Sequence, residues 1–247
     1  MNPIKNKIAF IVKFFNLARK RLKSQKNYQA FQFYEASRIY PDLKRIFNVS
    51  NKSYFVDWGC GDGGFTKFFA RKFKNILGAD FNVPKNIENI KFLKKDLRSC
   101  VLNEKADIIF CASVIEHVED QKQFINQISR NLKKNGFLFL SFPPFYNLSG
   151  GHQLKPFHYF PEKLAILIGR KLGRIPASVT DYKNLFGDHG LTKTTIKEIR
   201  QILIDNKFEI KVCKTRFIDE KSFFNTAKIP ILSEFLTWHV EFYCIKK

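Results

Sequence analysis

Apolar positions along this chain change period several times, and each change marks an element. Ile4, Ile8, Ile11, Phe15, Ala18 and Leu22 recur at helical spacing, with eight lysines and arginines among residues 1–26. That stretch reads as a basic amphipathic helix, because no acid precedes Glu35. A second helix is expected over 28–47, with Phe31, Tyr34 and Ile39 on its apolar side. From residue 54 onward, short apolar runs alternate with helical stretches. Residues 54–57, 75–79, 90–93, 106–112 and 137–142 have the length and composition of buried strands. Residues 65–73 and 121–132 are helical between them. The latter places Phe124, Ile125, Ile128 and Leu132 on one face and stops at Lys133-Lys134-Asn135-Gly136. After Pro143-Pro144 come a loop-rich insert (145–192), a helix near 193–206 and strands over 208–217 and 236–245. In the last of these, Trp238, Val240, Phe242 and Cys244 alternate, which turns His239 outward.

Strands and helices in alternation define an α/β fold, a doubly wound parallel sheet. No internal repeat or low-complexity linker interrupts it. The expected organisation is an N-terminal helical extension (1–48) followed by one domain (49–247).

Composition narrows the setting. Hydrophobic residues are 45% and charged residues 26%, a globular balance, and the 28 phenylalanines read as core filler. The net charge of +21 attracts anionic partners, but the basic residues are spread along the chain without an arginine-rich tract. Charge therefore does not by itself select a nucleic acid. Cys60, Cys100, Cys111, Cys213 and Cys244 are odd in number and lack CxxC spacing, which argues against a disulfide framework or a zinc site. A cytoplasmic location is expected. No run approaches the ~18 apolar residues of a membrane span, and Ala18-Arg19-Lys20-Arg21 is no signal-peptidase site.

The strongest motif is Val56-Asp57-Trp58-Gly59-Cys60-Gly61-Asp62-Gly63-Gly64, a glycine turn that leaves a strand and opens a helix. Open α/β sheets bind ligands at this carboxyl end. Gly59, Gly61 and Gly64 satisfy the dinucleotide pattern GxGxxG, which is weak alone. Asp57 argues against it: a carboxylate there repels a pyrophosphate and attracts a cation such as a sulfonium or ammonium. No Gly-Lys-Ser/Thr follows, so a Walker loop is excluded. Asp80, about twenty residues past the loop, can hold ribose hydroxyls, and Asp96 follows the third strand.

Taken with Ser113-Val114-Ile115-Glu116-His117-Val118 after the fourth strand, this order resembles class I S-adenosylmethionine-dependent methyltransferases. Within them it is most similar to the branch of the ubiquinone- and menaquinone-biosynthesis enzymes. The resemblance implies a Rossmann-like seven-stranded sheet whose last strand is antiparallel. It also implies S-adenosylmethionine as cofactor. Asp57, Gly59, Cys60 and Gly61 would meet its methionine part, Asp80 would hold the ribose, and Phe81 would also contact the cofactor. Asp96 and Leu97 would flank the adenine, and Ser113 would line the pocket. Trp58 departs from the small residue more usual in such loops.

Methyl transfer needs an aligned acceptor and, at oxygen, a way to remove a proton. His117 and His152 are the catalytic candidates: His117 follows the fourth strand, and His152 lies in the insert after strand five, directly after Gly150-Gly151. Glu116-His117 could instead cap the next helix. His158, among Phe157, Tyr159 and Phe160, reads as packing, and His189 has no motif support. Glu116, His117 and a later histidine also resemble the metal-binding set of ubiquinone-pathway O-methyltransferases and small-RNA 2′-O-methyltransferases. Ser113 stands where those enzymes carry another glutamate, so no metal is assigned. The strand-four end lacks Asn/Asp-Pro-Pro-Tyr/Phe, which argues against adenine-N6 chemistry, and no Pro-Cys supplies a C5-pyrimidine nucleophile.

The expected activity is transfer of methyl to a small-molecule, glycan or lipid-linked acceptor, at oxygen. The alternatives are an RNA methyltransferase and a non-catalytic S-adenosylmethionine-binding partner protein. Residues 1–26 would contact an anionic membrane surface, fold over the cofactor as a lid, or pack permanently.

Overall fold

A computed structural model describes residues 3–84, 87, 90–187 and 189–247. The side chains of residues 3–9, 11 and 22 fall outside the description, and with them the apolar positions Ile4, Ile8, Ile11 and Leu22. The chain forms two compact units, Met1–Cys100 with Ala106–Ile109, and Val101–Lys105 with Phe110–Lys247.

The first unit opens with α1 (Pro3–Lys20) and α2 (Gln25–Phe47). The single helix expected over 1–26 breaks at a tight turn, Arg21–Lys23. Ser24 causes the break: its extended backbone and hydroxyl, which accepts the Asn27 N–H (3.2 Å), start a new helix. α1 lies on α2 through ring contacts, Phe10 on Tyr34 (4.3 Å) and Phe14 on Phe31 (5.2 Å). Three strands and a short helix follow: β1 (Tyr54–Trp58), α3 (Gly64–Phe69), β2 (Asn75–Asp80) and β3 (Lys91–Lys94). β1 pairs parallel with β2, and β2 with β3. Phe55 of β1 packs on Phe69 and Phe73 (4.4 and 4.7 Å), while Phe33 and Tyr40 of α2 meet Phe68 of α3. α2 is thereby built into the first unit.

β4 (Ala106–Ala112) runs from the first unit into the second. The second unit continues with α4 (Gln121–Asn131), β5 (Leu132–Phe142), α5 (Glu162–Lys171), α6 (Ile196–Asp205), β6 (Phe208–Thr215), α7 (Ser233–Leu236) and β7 (Val240–Lys246). Among the described residues the strands form one seven-stranded sheet, ordered β3-β2-β1-β4-β5-β7-β6. The last strand is antiparallel to both neighbours, Phe142 opposing Val240 and Thr215 opposing Val240 from the other side. This is the Rossmann-like arrangement expected from the sequence. One detail differs. Because β7 lies inside the sheet between β5 and β6, its residues are covered on both faces, and the chain just before it is drawn in too. His239 is 5% exposed rather than outward-facing, and its carbonyl accepts the Arg216 N–H (2.9 Å).

The insert has a core of its own, in which Phe145, Leu154, Ile166, Ile175, Tyr182 and Leu191 take part. All five cysteines are buried, and none forms a disulfide. No helix among the described residues is long and apolar enough to cross a membrane.

Candidate active site

The first unit gathers the acidic and glycine residues singled out in the sequence around one turn. Gly59, Gly61 and Gly63 adopt left-handed φ values of 94°, 48° and 76°, which favour glycine. The Gly59 and Cys60 N–H groups both donate to the Ala79 carbonyl (2.8 and 3.1 Å). Gly61 N–H donates to Asp80 Oδ2 (2.8 Å), and Asn82 N–H to Asp80 Oδ1 (3.1 Å). The Asp80 carboxylate thus sits at the carboxyl end of β2, beside the loop. Asp57, 1% exposed, accepts a hydrogen bond from Thr66 Oγ1 (2.6 Å). Burial pushes its carboxyl up to about 7; the Thr66 bond works against this and Asp80 reinforces it. A carboxylate held this far from water is a ready partner for a cation. The Cys60 thiol is also buried and driven upward, by burial first and then by Asp57 and Asp80, so it offers no nucleophile. Trp58 ends β1 with its indole N–H buried and without a hydrogen-bond partner among the described residues.

Asp96 comes next in space as in sequence, since the Lys95 N–H donates to the Asp80 carbonyl (2.9 Å). Its carboxylate pairs with Arg98 (2.6 Å), which holds it below the usual carboxylate range. Leu97 is buried, whereas Phe81 is exposed. Ser113 lies in the second unit, exposed, with a left-handed φ of 56° and its N–H donating to Ser141 O (2.8 Å).

In the second unit, a tight turn at Ile115–His117 follows β4, and the 190–194 segment pins it. His117 Nδ1 donates to Gly190 O (2.8 Å), Thr192 N–H to Glu116 O (2.7 Å), and Thr192 Oγ1 to Val118 O (3.0 Å). A carbonyl only accepts, so Nδ1 carries the proton and Nε2 keeps its lone pair. Burial lowers His117 to about 4, with Gly190 opposing and His189 adding to the shift. Glu116 is 2% exposed, and neither carboxyl oxygen has a side-chain hydrogen-bond partner among the described residues. Burial pushes it to about 8. It does not cap the next helix, because Asp120 does, accepting the Gln123 N–H (2.8 Å).

His152 joins this turn. Glu116, His117 and His152 each present one ligand atom, and the three lie within 4.8 Å of one another. The fit to a divalent cation is sound: one oxygen and two imidazole nitrogens, around a buried carboxyl whose oxygens have no side-chain hydrogen-bond partner among the described residues. The glycines before His152 mark tight packing rather than mobility. A Cβ on Gly151 would fall 2.3 Å from the His158 ring, and one on Gly150 2.2 Å from the Phe145 carbonyl oxygen. His158 is buried, with Nε2 3.1 Å from Asn147 O.

Two further rings belong to this cluster. His189 lies 4.9 Å from His117, and Phe186 lies 5.1 Å from His117 and 5.3 Å from His152. Sequence reasoning gave His189 no role and did not single out Phe186. What places them is a bond between residues 73 positions apart, for which the chain carries no local signal.

A methyltransferase-domain family matches residues 28–196, well over half of the chain. The ubiquinone biosynthesis O-methyltransferase of Rickettsia typhi is 29% identical over 187 residues, covering 71% of this chain and 68% of that protein. The protein of the same name from Pelagibacter ubique is 35% identical over 97 residues, 35% of this chain and 40% of its own. Among solved structures, an S-adenosylmethionine-dependent methyltransferase from Clostridium acetobutylicum superposes with a TM-score of 0.59 at 15% identity, covering 85% of this chain and 90% of that one. That likeness shows the fold. The chain belongs to the methyltransferase-domain family. It is an S-adenosylmethionine-dependent methyltransferase.

Proposed function

We propose that the chain methylates a hydroxyl oxygen of a small, ring-bearing acceptor, and that Glu116, His117 and His152 prepare that hydroxyl. The carrying observation is the buried Glu116 carboxyl beside two imidazoles, with Phe186 and His189 against them. The name of the Rickettsia relatives supports oxygen as the acceptor atom and a ubiquinone precursor as the first compound class to try.

On the donor side, the cofactor carries its own positive charge. Asp57 holds the ammonium of its methionine part, Asp80 the ribose hydroxyls, and Leu97 with Asp96 flanks the adenine. On the acceptor side, the hydroxyl must lose its proton as the methyl arrives. His117 at about 4 is neutral at pH 7 but a weak base. Its fixed Nε2 lone pair suits it better to ligating a divalent cation together with Glu116 and His152. When bound, such an ion lowers the pKa of a hydroxyl it holds. Phe186 and His189 offer ring faces to a flat acceptor and exclude water from it.

Labelled-methyl transfer tests this. The protein is incubated with methyl-labelled S-adenosylmethionine and, in parallel, a polyprenylated catechol, total RNA and a glycan extract. Label is expected on a catechol oxygen, lost on chelation and restored by magnesium or manganese. Label in RNA alone overturns the reading.

We also propose that α1 touches an anionic membrane. Val12 and Phe15 are exposed on it, on either side of Lys13 and ahead of the basic run Arg19-Lys20-Arg21. Flotation with phosphatidylglycerol vesicles should recover the protein, and neutral vesicles should not. Replacing Lys13, Arg19, Lys20 and Lys23 by Gln should weaken the binding by up to about a thousandfold, since each cation near the surface contributes about 1 kcal/mol. Equal recovery of that variant removes the proposal.

A further inference from the structure

The glycine loop is gripped from outside by a ladder of glutamines. Gln25, Gln29 and Gln32 stand at i, i+4 and i+7 on α2, on one face of the helix. Each bonds the loop or the helix it opens. Gln25 Nε2 donates to Asp62 Oδ1 (2.8 Å), and Gln29 Nε2 donates to the Asp62 carbonyl (2.7 Å). The Gly64 N–H donates to Gln32 Oε1 (3.1 Å). Lys67 Nζ, one turn into α3, donates to Gln29 Oε1 (2.9 Å).

Gln32 does what a cap residue ordinarily does. α3 starts after Gly63, which has no side chain with which to cap it. The exposed N–H groups of a helix start need an acceptor, and here α2 supplies it from 32 residues away. Gln32 is itself buried, so without it the Gly64 N–H would be left unsatisfied. Space is matched to this contact. A Cβ on Gly64 would fall 2.5 Å from Gln32 Oε1 and 2.8 Å from the Gln29 carbonyl oxygen, so glycine at 64 lets α2 close on the loop.

The opposite side of the same loop is tied to β2 by Ala79 O and Asp80 Oδ2. The turn that carries the cofactor is therefore set between two grips, one on a strand and one on a helix. We propose that Gln29 and Gln32 are positioning residues for S-adenosylmethionine: they hold residues 61–64 in the binding shape, so that α2 governs cofactor affinity without touching the chemistry. This rests on the reading of that loop as the cofactor site.

The test compares Gln32→Met, which keeps size and loses the acceptor, with Gln32→Glu, which restores an acceptor at a helix N-terminus. Calorimetric titration with S-adenosylmethionine and with S-adenosylhomocysteine is the readout, alongside ligand-free melting. Gln32→Met should weaken both ligands about tenfold, the worth of one buried hydrogen bond, and Gln32→Glu should stay within about twofold of the parent. Gln29→Ala, at a part-buried position, gives a second variant should Gln32→Met fold poorly, and should also weaken both. Unchanged affinity in folded Gln32→Met or Gln29→Ala overturns the clamp. So does weakening by Gln32→Met that Gln32→Glu fails to rescue, because packing rather than the bond would then be the cause. A parent protein that binds neither ligand would instead overturn the cofactor reading of the loop.

Discussion

Glu116→Gln is expected to lower methyl transfer at least a hundredfold while S-adenosylmethionine affinity stays within about twofold, about 2.7 kcal/mol lost from the transition state alone. The substitution is nearly isosteric. The Glu116 carboxyl is buried and pushed up to about 8 by that burial, against the opposing pull of its own backbone N–H and of Arg216, and its oxygens have no side-chain hydrogen-bond partner among the described residues. The role proposed for it is to hold something that binds there. His117→Ala should match it, since His117 Nε2 is aimed by the Gly190 bond. His152→Ala should likewise reduce turnover far more than cofactor affinity. Manganese binding followed by electron paramagnetic resonance gives an independent readout: the parent should bind the ion and Glu116→Gln should not. Full turnover in chelator together with full turnover of Glu116→Gln would remove the acceptor-side proposal.

Asp57→Asn should weaken cofactor binding at least tenfold at pH 8, because it removes a buried charged partner of a cationic ligand, on the order of 1.5–3 kcal/mol. It should also flatten the pH dependence. In the parent the Asp57 carboxyl is pushed to about 7, so below that pH it is protonated and must ionise to meet the cofactor. Affinity should then fall about tenfold per pH unit below 7, about 1.4 kcal/mol each, and level off above. Stability runs the other way. A folded pKa raised above the unfolded value means the native state holds its proton longer, so stability declines as pH rises from about 4 to about 7. Asp57→Asn, which cannot ionise, should melt higher than the parent at pH 8, and the gap should close toward pH 4. Unaltered affinity in the folded variant would contradict the role given to Asp57.

The glycine loop was legible in the sequence because its demands are local. Positive φ at Gly59, Gly61 and Gly63 needs residues without a side chain, and strand ends place Asp57 and Asp80 by simple spacing. The sheet was legible for the same reason: each strand is a short apolar run with its own stop. What escaped depends on distant partners. Gln25, Gln29 and Gln32 look like a solvated helix face until α2 meets the loop. His189 and Phe186 read as loop residues until Gly190 is bonded to His117. His239 was misjudged because alternation shows which residues share a face, not whether the strand is central. The boundary between the first two helices, expected after residue 26, falls at Ser24, because the helical spacing ends at Leu22 without marking the exact stop and the Ser24 hydroxyl caps the second helix.

The most direct measurement is a calorimetric titration of the purified chain with S-adenosylmethionine and, separately, with NADH. One molar equivalent of S-adenosylmethionine should bind at a site abolished by Asp57→Ala with Asp80→Ala, and NADH should give no heat. Absence of S-adenosylmethionine binding, or tighter binding of NADH, would contradict the account.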